Sequence, residues 1–148
     1  MKTPYPPTYQ TAKLQTKAYR NLKLAVAELL KPHGLSMIQW AALGVIKDAG
    51  KRGTQMSDIA SELSTSLAFT TNTIDILASR RLVRRKASPT DKRVRTVIIT
   101  TTAEKIIDDY ELQLQKSVRN DLFAKAGISK DEHDAYLDVL AKLADVKL

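Results

Sequence analysis

Residues 80–100, RRLVRRKASPTDKRVRTVIIT, gather eight cationic side chains in one short stretch and then turn apolar and β-branched. Between Ser79 and Arg95 the only acid is Asp91, so this segment carries nearly all of the chain's net charge of +8. A solvated charged face usually mixes both signs. This one does not, and a polyanion is the expected partner, with an ordinary exposed hairpin as the competing reading. LVRRKAS and RVRTVIIT are strand-like runs, the second alternating through Val94, Thr96 and Ile98. Between them PTDK puts proline and aspartate at turn positions, which predicts a β-hairpin.

Working back towards the N-terminus, SLAFTTNTIDILASRR predicts a helix from about Ser66 to Arg80. Leu67, Ile74, Leu77 and Ala78 are its inward candidates. Ser66, Thr70, Thr71, Asn72 and Thr73 supply small hydrogen-bonding groups. Threonine has no helix-propensity advantage, so three within four residues suggest a contact surface rather than a merely solvated one. Hydroxyls, amides and methyl groups are what a helix in the major groove uses on base edges and phosphates. A short helix precedes it, marked by Met56, Ile59, Ala60 and Leu63. Before that, Ser36 and Gln39 form a capping box for a helix with the stripe Ile38, Ala41, Ala42, Val45 and Ile46, ending near AGKRG. The first helix runs from about Thr8 to Lys31 through Leu14, Ala18, Leu22, Ala25 and Leu29, and is stopped by Pro32 and Gly34. A helix-turn-helix followed by a basic hairpin defines a winged helix. The fold expected is therefore mainly α with a small β-hairpin wing. Arginines of such a wing reach phosphates or the minor groove, whose negative potential offsets their mutual repulsion. The cations concerned are Arg80, Arg84, Arg85, Lys86, Lys92, Arg93 and Arg95.

The C-terminal third has another character. Thr101 with Glu104 and Ser129 with Glu132 are capping-box patterns, predicting helices of about Thr102–Lys125 and Lys130–Lys147. Their stripes, Ile107, Tyr110, Leu114, Val118, Leu122 and then Tyr136, Leu137, Leu140, Leu143, Ala144, both need cover. Long terminal helices beside a self-sufficient core point to a homodimer, against the alternative of a monomeric bundle. A two-fold dimer presents two recognition helices to a pseudo-palindrome with half-sites about one DNA turn apart.

With 148 residues, 43% of them hydrophobic, the chain suffices for one domain. It has no cysteine, which excludes disulfides, thiolate nucleophiles and thiolate metal sites. The apolar runs are too short to span a membrane, and MKTPYPPTYQ has prolines where a signal peptide needs its apolar stretch, so a cytoplasmic protein is expected. Catalysis finds little support. His33 and His133 belong to no ligand spacing and read as surface or helix-end residues, Asp108, Asp109 and Glu111 read as a solvated helix face, and no phosphate loop or nucleophile elbow occurs. No cofactor, metal or catalytic residue is expected.

The stretch of roughly residues 34–106 resembles the winged helix-turn-helix core of the MarR-type bacterial regulators. SPTDKRVRTVIIT is its most specific part, matching an Asp-x-Arg wing signature. DIASEL is similar to the helix before the turn and TTNTIDILASRRLV to the recognition helix. The resemblance implies that Arg93 enters the minor groove and that Asp91 holds the wing's shape. It also implies a homodimer built from the first and last helices, with residues 8–31 plus 102–147 as dimerisation helices and 35–100 as the DNA-binding lobe of a single 1–148 domain. Two departures are Arg81 and Ala103, where the family often has glycine; Lys92 stands where a second arginine is common and offers a point charge without bidentate geometry. Family members often bind anionic aromatic compounds in a cleft beside the DNA-binding lobe. Tyr19, Trp40 and Tyr110 are this chain's candidates for such an effector pocket, although core filling is the commoner fate of aromatics. The function expected is a sequence-specific DNA-binding transcriptional regulator, a repressor released by a small effector. The alternatives are a non-specific architectural DNA binder and a winged-helix protein-interaction module.

Overall fold

The computed structural model describes residues 4–88 and 90–148. The predicted turn residue Pro89 lies outside the described residues. The chain divides into two compact units, residues 30–112 and residues up to 29 together with 113–148.

In the first unit, a 3-10 turn at Lys31–His33 closes on Gly34 in the left-handed region and leads to α2, Met37–Ala49; α1, Thr8–Leu30, precedes the turn. Ser36 caps α2 as its sequence demands. Its hydroxyl accepts from the Gln39 N–H and the Gln39 side chain accepts from the Ser36 N–H. A 3-10 turn at Gly50–Arg52, α3 at Met56–Leu63 and α4 at Leu67–Ser79 follow. Strands β1, Val83–Ala87, and β2, Arg95–Ile99, pair antiparallel with Arg85 opposite Val97, and α5 begins at Thr101 and runs to Ser117. α2, α3 and α4 pack on one another, with β2 against α2 and β1 against α4. Leu43, Ile46, Ile59, Ile74, Leu77, Val83 and Val97 are fully buried between them.

Several faces are rotated from expectation. In α2 the buried residues are Ala42, Leu43 and Ile46, while Ala41 is exposed and Ile38 and Val45 are half-buried. In β2 the consecutive residues Val97 and Ile98 are both buried, so the alternation through Val94, Thr96 and Ile98 does not hold. The reason is a further rung on the free edge of β2. The Thr54 N–H donates to the Val97 carbonyl at 3.0 Å and the Val97 N–H donates to the Thr54 carbonyl at 2.7 Å, which places a loop where solvent would be. Gly53 makes that approach feasible. Its φ of 76° and ψ of 175° belong to a region open essentially to glycine, and a Cβ there would come within 2.8 Å of the Ile98 side chain. The N-cap of α5 is Thr100, not Thr101. Its hydroxyl accepts from the Ala103 N–H and its carbonyl from the Glu104 N–H.

In the second unit, α5 ends earlier than predicted and passes into a π-helical segment, Val118–Phe123, whose wider turn breaks the 3.6-residue stripe. α6, Lys130–Ala144, has the predicted Ser129–Glu132 capping box and stops three residues short of Lys147. His133 lies in the first turn of α6, a helix-end residue but not a surface one. It is buried and stacked on Phe123 at 3.7 Å between ring centroids. The expected stripe on α6 lies largely in solvent, with Tyr136, Leu137 and Leu143 all exposed. Among the described residues, no helix is long and apolar enough to cross a membrane.

Candidate nucleic-acid interface

The order of elements puts the cations on strands that follow directly from α4. Arg84, Arg85, Lys86, Lys92, Arg93 and Arg95 all project from the hairpin and are exposed, as is Arg81 at its base. Arg85 of β1 reaches back to Asp75 of α4, Nη2 to Oδ1 2.5 Å. Arg85 therefore ties β1 to the exposed side of α4, while its neighbours Arg84 and Lys86 alternate to the other face of the strand. At the hairpin tip, Asp91 accepts from the Arg93 backbone N–H at 3.0 Å and faces its Nε at 3.3 Å, while the Asp91 carbonyl accepts from the Val94 N–H. Asp91 thus closes the turn on itself and leaves the Arg93 side chain 93% exposed.

Arg80 behaves differently from its neighbours. Its guanidinium donates to the carbonyls of His33 and Gly34, where it satisfies the end of the 3-10 turn, so its charge is engaged within the fold. Arg81 follows with φ of 59°, the left-handed conformation that its place after a helix requires and that glycine would adopt without penalty. The Leu82 N–H donates to the Leu77 carbonyl across this turn, and the Thr100 hydroxyl donates to the Arg81 carbonyl at 2.8 Å. The start of α5 thereby pins the strained residue between α4 and β1.

On α4 itself the structure corrects the sequence reading. Thr70 and Thr73, expected at the contact surface, are buried, with 1% and 5% of their surface exposed. Their hydroxyls donate to the carbonyls of Ser66 and Phe69, four residues earlier. Such internal bonding lets a threonine pack inward without an unpaired polar group. Thr71, half-buried, donates to the Leu67 carbonyl, and the Ser66 hydroxyl caps the helix by accepting from the Phe69 N–H. Asn72 is exposed. Leu67, expected to point inward, is 57% exposed, and Phe69 and Ile76, which share a face on the other side of the exposed arc, are exposed as well. The sequence reading missed this apolar surface because the threonines, not Leu67, supply the inner face of the first two turns.

The three aromatic residues considered for an effector pocket separate. Trp40 is half-buried, its indole N–H donating to Glu111 at 2.8 Å, and it meets Tyr110 edge-on at 6.3 Å. Tyr110 also contacts His33 edge-on and lines an open pocket of about 330 Å³ with His33, Thr102, Lys105, Ile106 and Asp109. Trp40 is not part of that lining, and Tyr19 is exposed on α1 in the other unit. The acidic run of α5 is not simply solvated. Asp108 pairs with Lys47 of α2 at 2.6 Å and holds its ammonium above the ordinary lysine range, Asp109 does the same for Lys105, and Glu111 receives the indole. The Asp108 and Glu111 contacts join α5 to α2, while the Lys105–Asp109 pair lies within α5.

A sequence model of the MarR family matches residues 33–94, which span the helix-turn-helix and most of the hairpin. Over this stretch the chain is similar to the MarR family. Over 126 residues, 85% of this chain and 76% of the relative, it is 28% identical to YhbI of Bacillus subtilis, an uncharacterized HTH-type transcriptional regulator. Over 94 residues, 64% of this chain and 63% of the relative, it is 29% identical to MhqR of the same organism, also an HTH-type transcriptional regulator. Among solved structures, a mutant of MarR from E. coli complexed with operator DNA superposes with a TM-score of 0.73 at 25% identity, covering 89% of this chain and 91% of that one. BpsR of Bordetella bronchiseptica, at 20% identity, shares the fold over 98% of this chain and 100% of its own with a TM-score of 0.80. The chain thus has a winged helix-turn-helix core similar to those of MarR-type transcriptional regulators.

Proposed function

We propose that the protein is a homodimeric, sequence-specific DNA-binding repressor acting on a pseudo-palindromic operator. The observation that carries this reading is the exposed basic hairpin that directly follows α4 and is tied to it by the Arg85–Asp75 pair. α4 is the recognition helix in the major groove, and Arg93, held out by the Asp91 turn, enters the minor groove. Arg84, Arg85, Lys86, Lys92 and Arg95 supply phosphate contacts, Asn72 a base contact and Asp91 the shape of the wing. Arg80, Thr70 and Thr73 serve the fold in this reading. Residues 8–31 and 102–147 form the dimer and 35–100 the DNA-binding lobe; exposed Leu24, Leu137, Val139 and Leu143 on the terminal helices favour such an assembly. The protein works in the cytoplasm and has no catalytic role.

A small-molecule effector would act by shifting the population of dimers whose recognition helices are correctly spaced. E. coli MarR was solved on its operator, and the DNA binding of BpsR is regulated by 6-hydroxynicotinic acid. For this chain the effector's place is the pocket at Tyr110, where Lys105 and His33 suit an anionic aromatic compound.

Anisotropy titration of the protein against the duplex upstream of its own gene tests the reading. Tight binding is expected, with log K falling by about 0.9 per phosphate neutralised for each tenfold rise in salt. Equal affinity for bulk genomic DNA would instead mark an architectural binder, and no duplex binding at low salt a protein-interaction module.

A further inference from the structure

The exposed side of α4 has an unusual chemical content for a DNA-reading helix. From Leu67 to Ser79 it carries no arginine or lysine, and its one carboxylate, Asp75, is paired with Arg85. The hydroxyls of Thr70, Thr71 and Thr73 each donate to a carbonyl four residues earlier, and Ser66 caps the helix. What faces solvent is Leu67, Ala68 and Phe69 on the first turn, then Asn72, Asp75, Ile76 and Ser79, with Leu67 57%, Phe69 47% and Ile76 40% exposed. Large apolar side chains on the exposed side of a helix tied to a cationic hairpin are poorly placed for water and suited to an apolar group within an anionic partner.

In the major groove only one such group exists, the C5-methyl of thymine, while guanine is commonly read by arginine or lysine and adenine by asparagine in bidentate geometry. We infer that α4 reads A·T pairs, with Leu67 and Phe69 covering thymine methyl groups and Asn72 pairing with an adjacent adenine. The inference rests on the DNA-binding reading above and deepens it. Affinity comes from the hairpin's cations through phosphates, and sequence choice comes from an apolar first turn that has nothing to offer guanine.

The first arm of the test uses the wild-type protein. Duplexes recovered from a random library by the full-length protein are sequenced, and the best is resynthesised with deoxyuridine for thymidine at each half-site position. This removes only the methyl group. Half-sites rich in A·T under α4 are expected, with binding weakened about fourfold for each contacted thymine, the equivalent of one buried carbon. Phe69→Ala and Leu67→Ala, both exposed positions, should bind thymidine and deoxyuridine duplexes alike at the position each one covers. Specific binding by the wild-type protein that is indifferent to the methyl, or half-sites centred on G·C, would overturn this inference and leave the regulator reading intact. Failure to bind any duplex at low salt would overturn both.

Discussion

Arg93 and Gly53 show how single positions set the wing. Arg93 is held away from the protein by its own backbone N–H bond to Asp91, so Arg93→Ala should leave the fold unchanged and weaken operator binding at least tenfold in an anisotropy titration. Asp91→Ala should weaken it through the turn, with Arg93 still present. A loss confined to Arg93→Ala would show that the turn holds its shape without the carboxylate. Gly53 combines a φ of 76° with a 2.8 Å approach to Ile98, so Gly53→Ala should destabilise the protein by about 2–4 kcal/mol in denaturant unfolding. The converse holds at Arg81, where the left-handed backbone carries an ordinary side chain. Arg81→Gly should raise stability by up to about 1 kcal/mol, the relief of strain being partly offset by a freer unfolded chain.

At the scale of elements, order and most helix starts were legible in the sequence, while the ends of α5 and α6 and the facing of side chains were less so. Caps and breakers act locally, which is why Ser36, Gly34 and Ser129 end or begin helices where their chemistry says they should. Burial is decided by neighbours distant in sequence. Thr54 covering the edge of β2 has no local signature, and a threonine's choice between solvent and its own i−4 carbonyl cannot be read from spacing alone. The candidate site was legible in its cations and its turn, but the apolar first turn of α4 was hidden because Leu67 fits an inward stripe as well as an outward one. The cap of α6 carries a pH signature. The Ser129 backbone N–H holds the Glu132 carboxyl below the usual glutamate range. Its contribution is complete above the unfolded value of about 4.3 and is lost as pH falls through the lower folded one. The stability difference between wild type and Glu132→Ala should be flat from neutral pH to about 5 and shrink only below that.

For the molecule as a whole, the terminal helices leave more apolar surface than one copy covers. Leu137, Val139 and Leu143 of α6 and Leu24 of α1 are each about half exposed. Sedimentation should give a dimer, and its melting temperature should rise with protein concentration because association stabilises the folded state. Leu137→Lys should shift the population towards monomer without altering helix content. A monomer at all concentrations in the wild type would remove the two-fold operator from the account.

The hairpin's unmatched charges link these scales. Arg85 and Arg93 have carboxylates and Arg80 has carbonyls, but Arg81, Arg84, Lys86, Lys92 and Arg95 share one short hairpin and its base with no ion pair among the described residues. Ionic strength must then push the two states of the protein in opposite directions: added electrolyte shields like charges and steadies the free molecule, while the same ions compete for the phosphates and loosen the bound one.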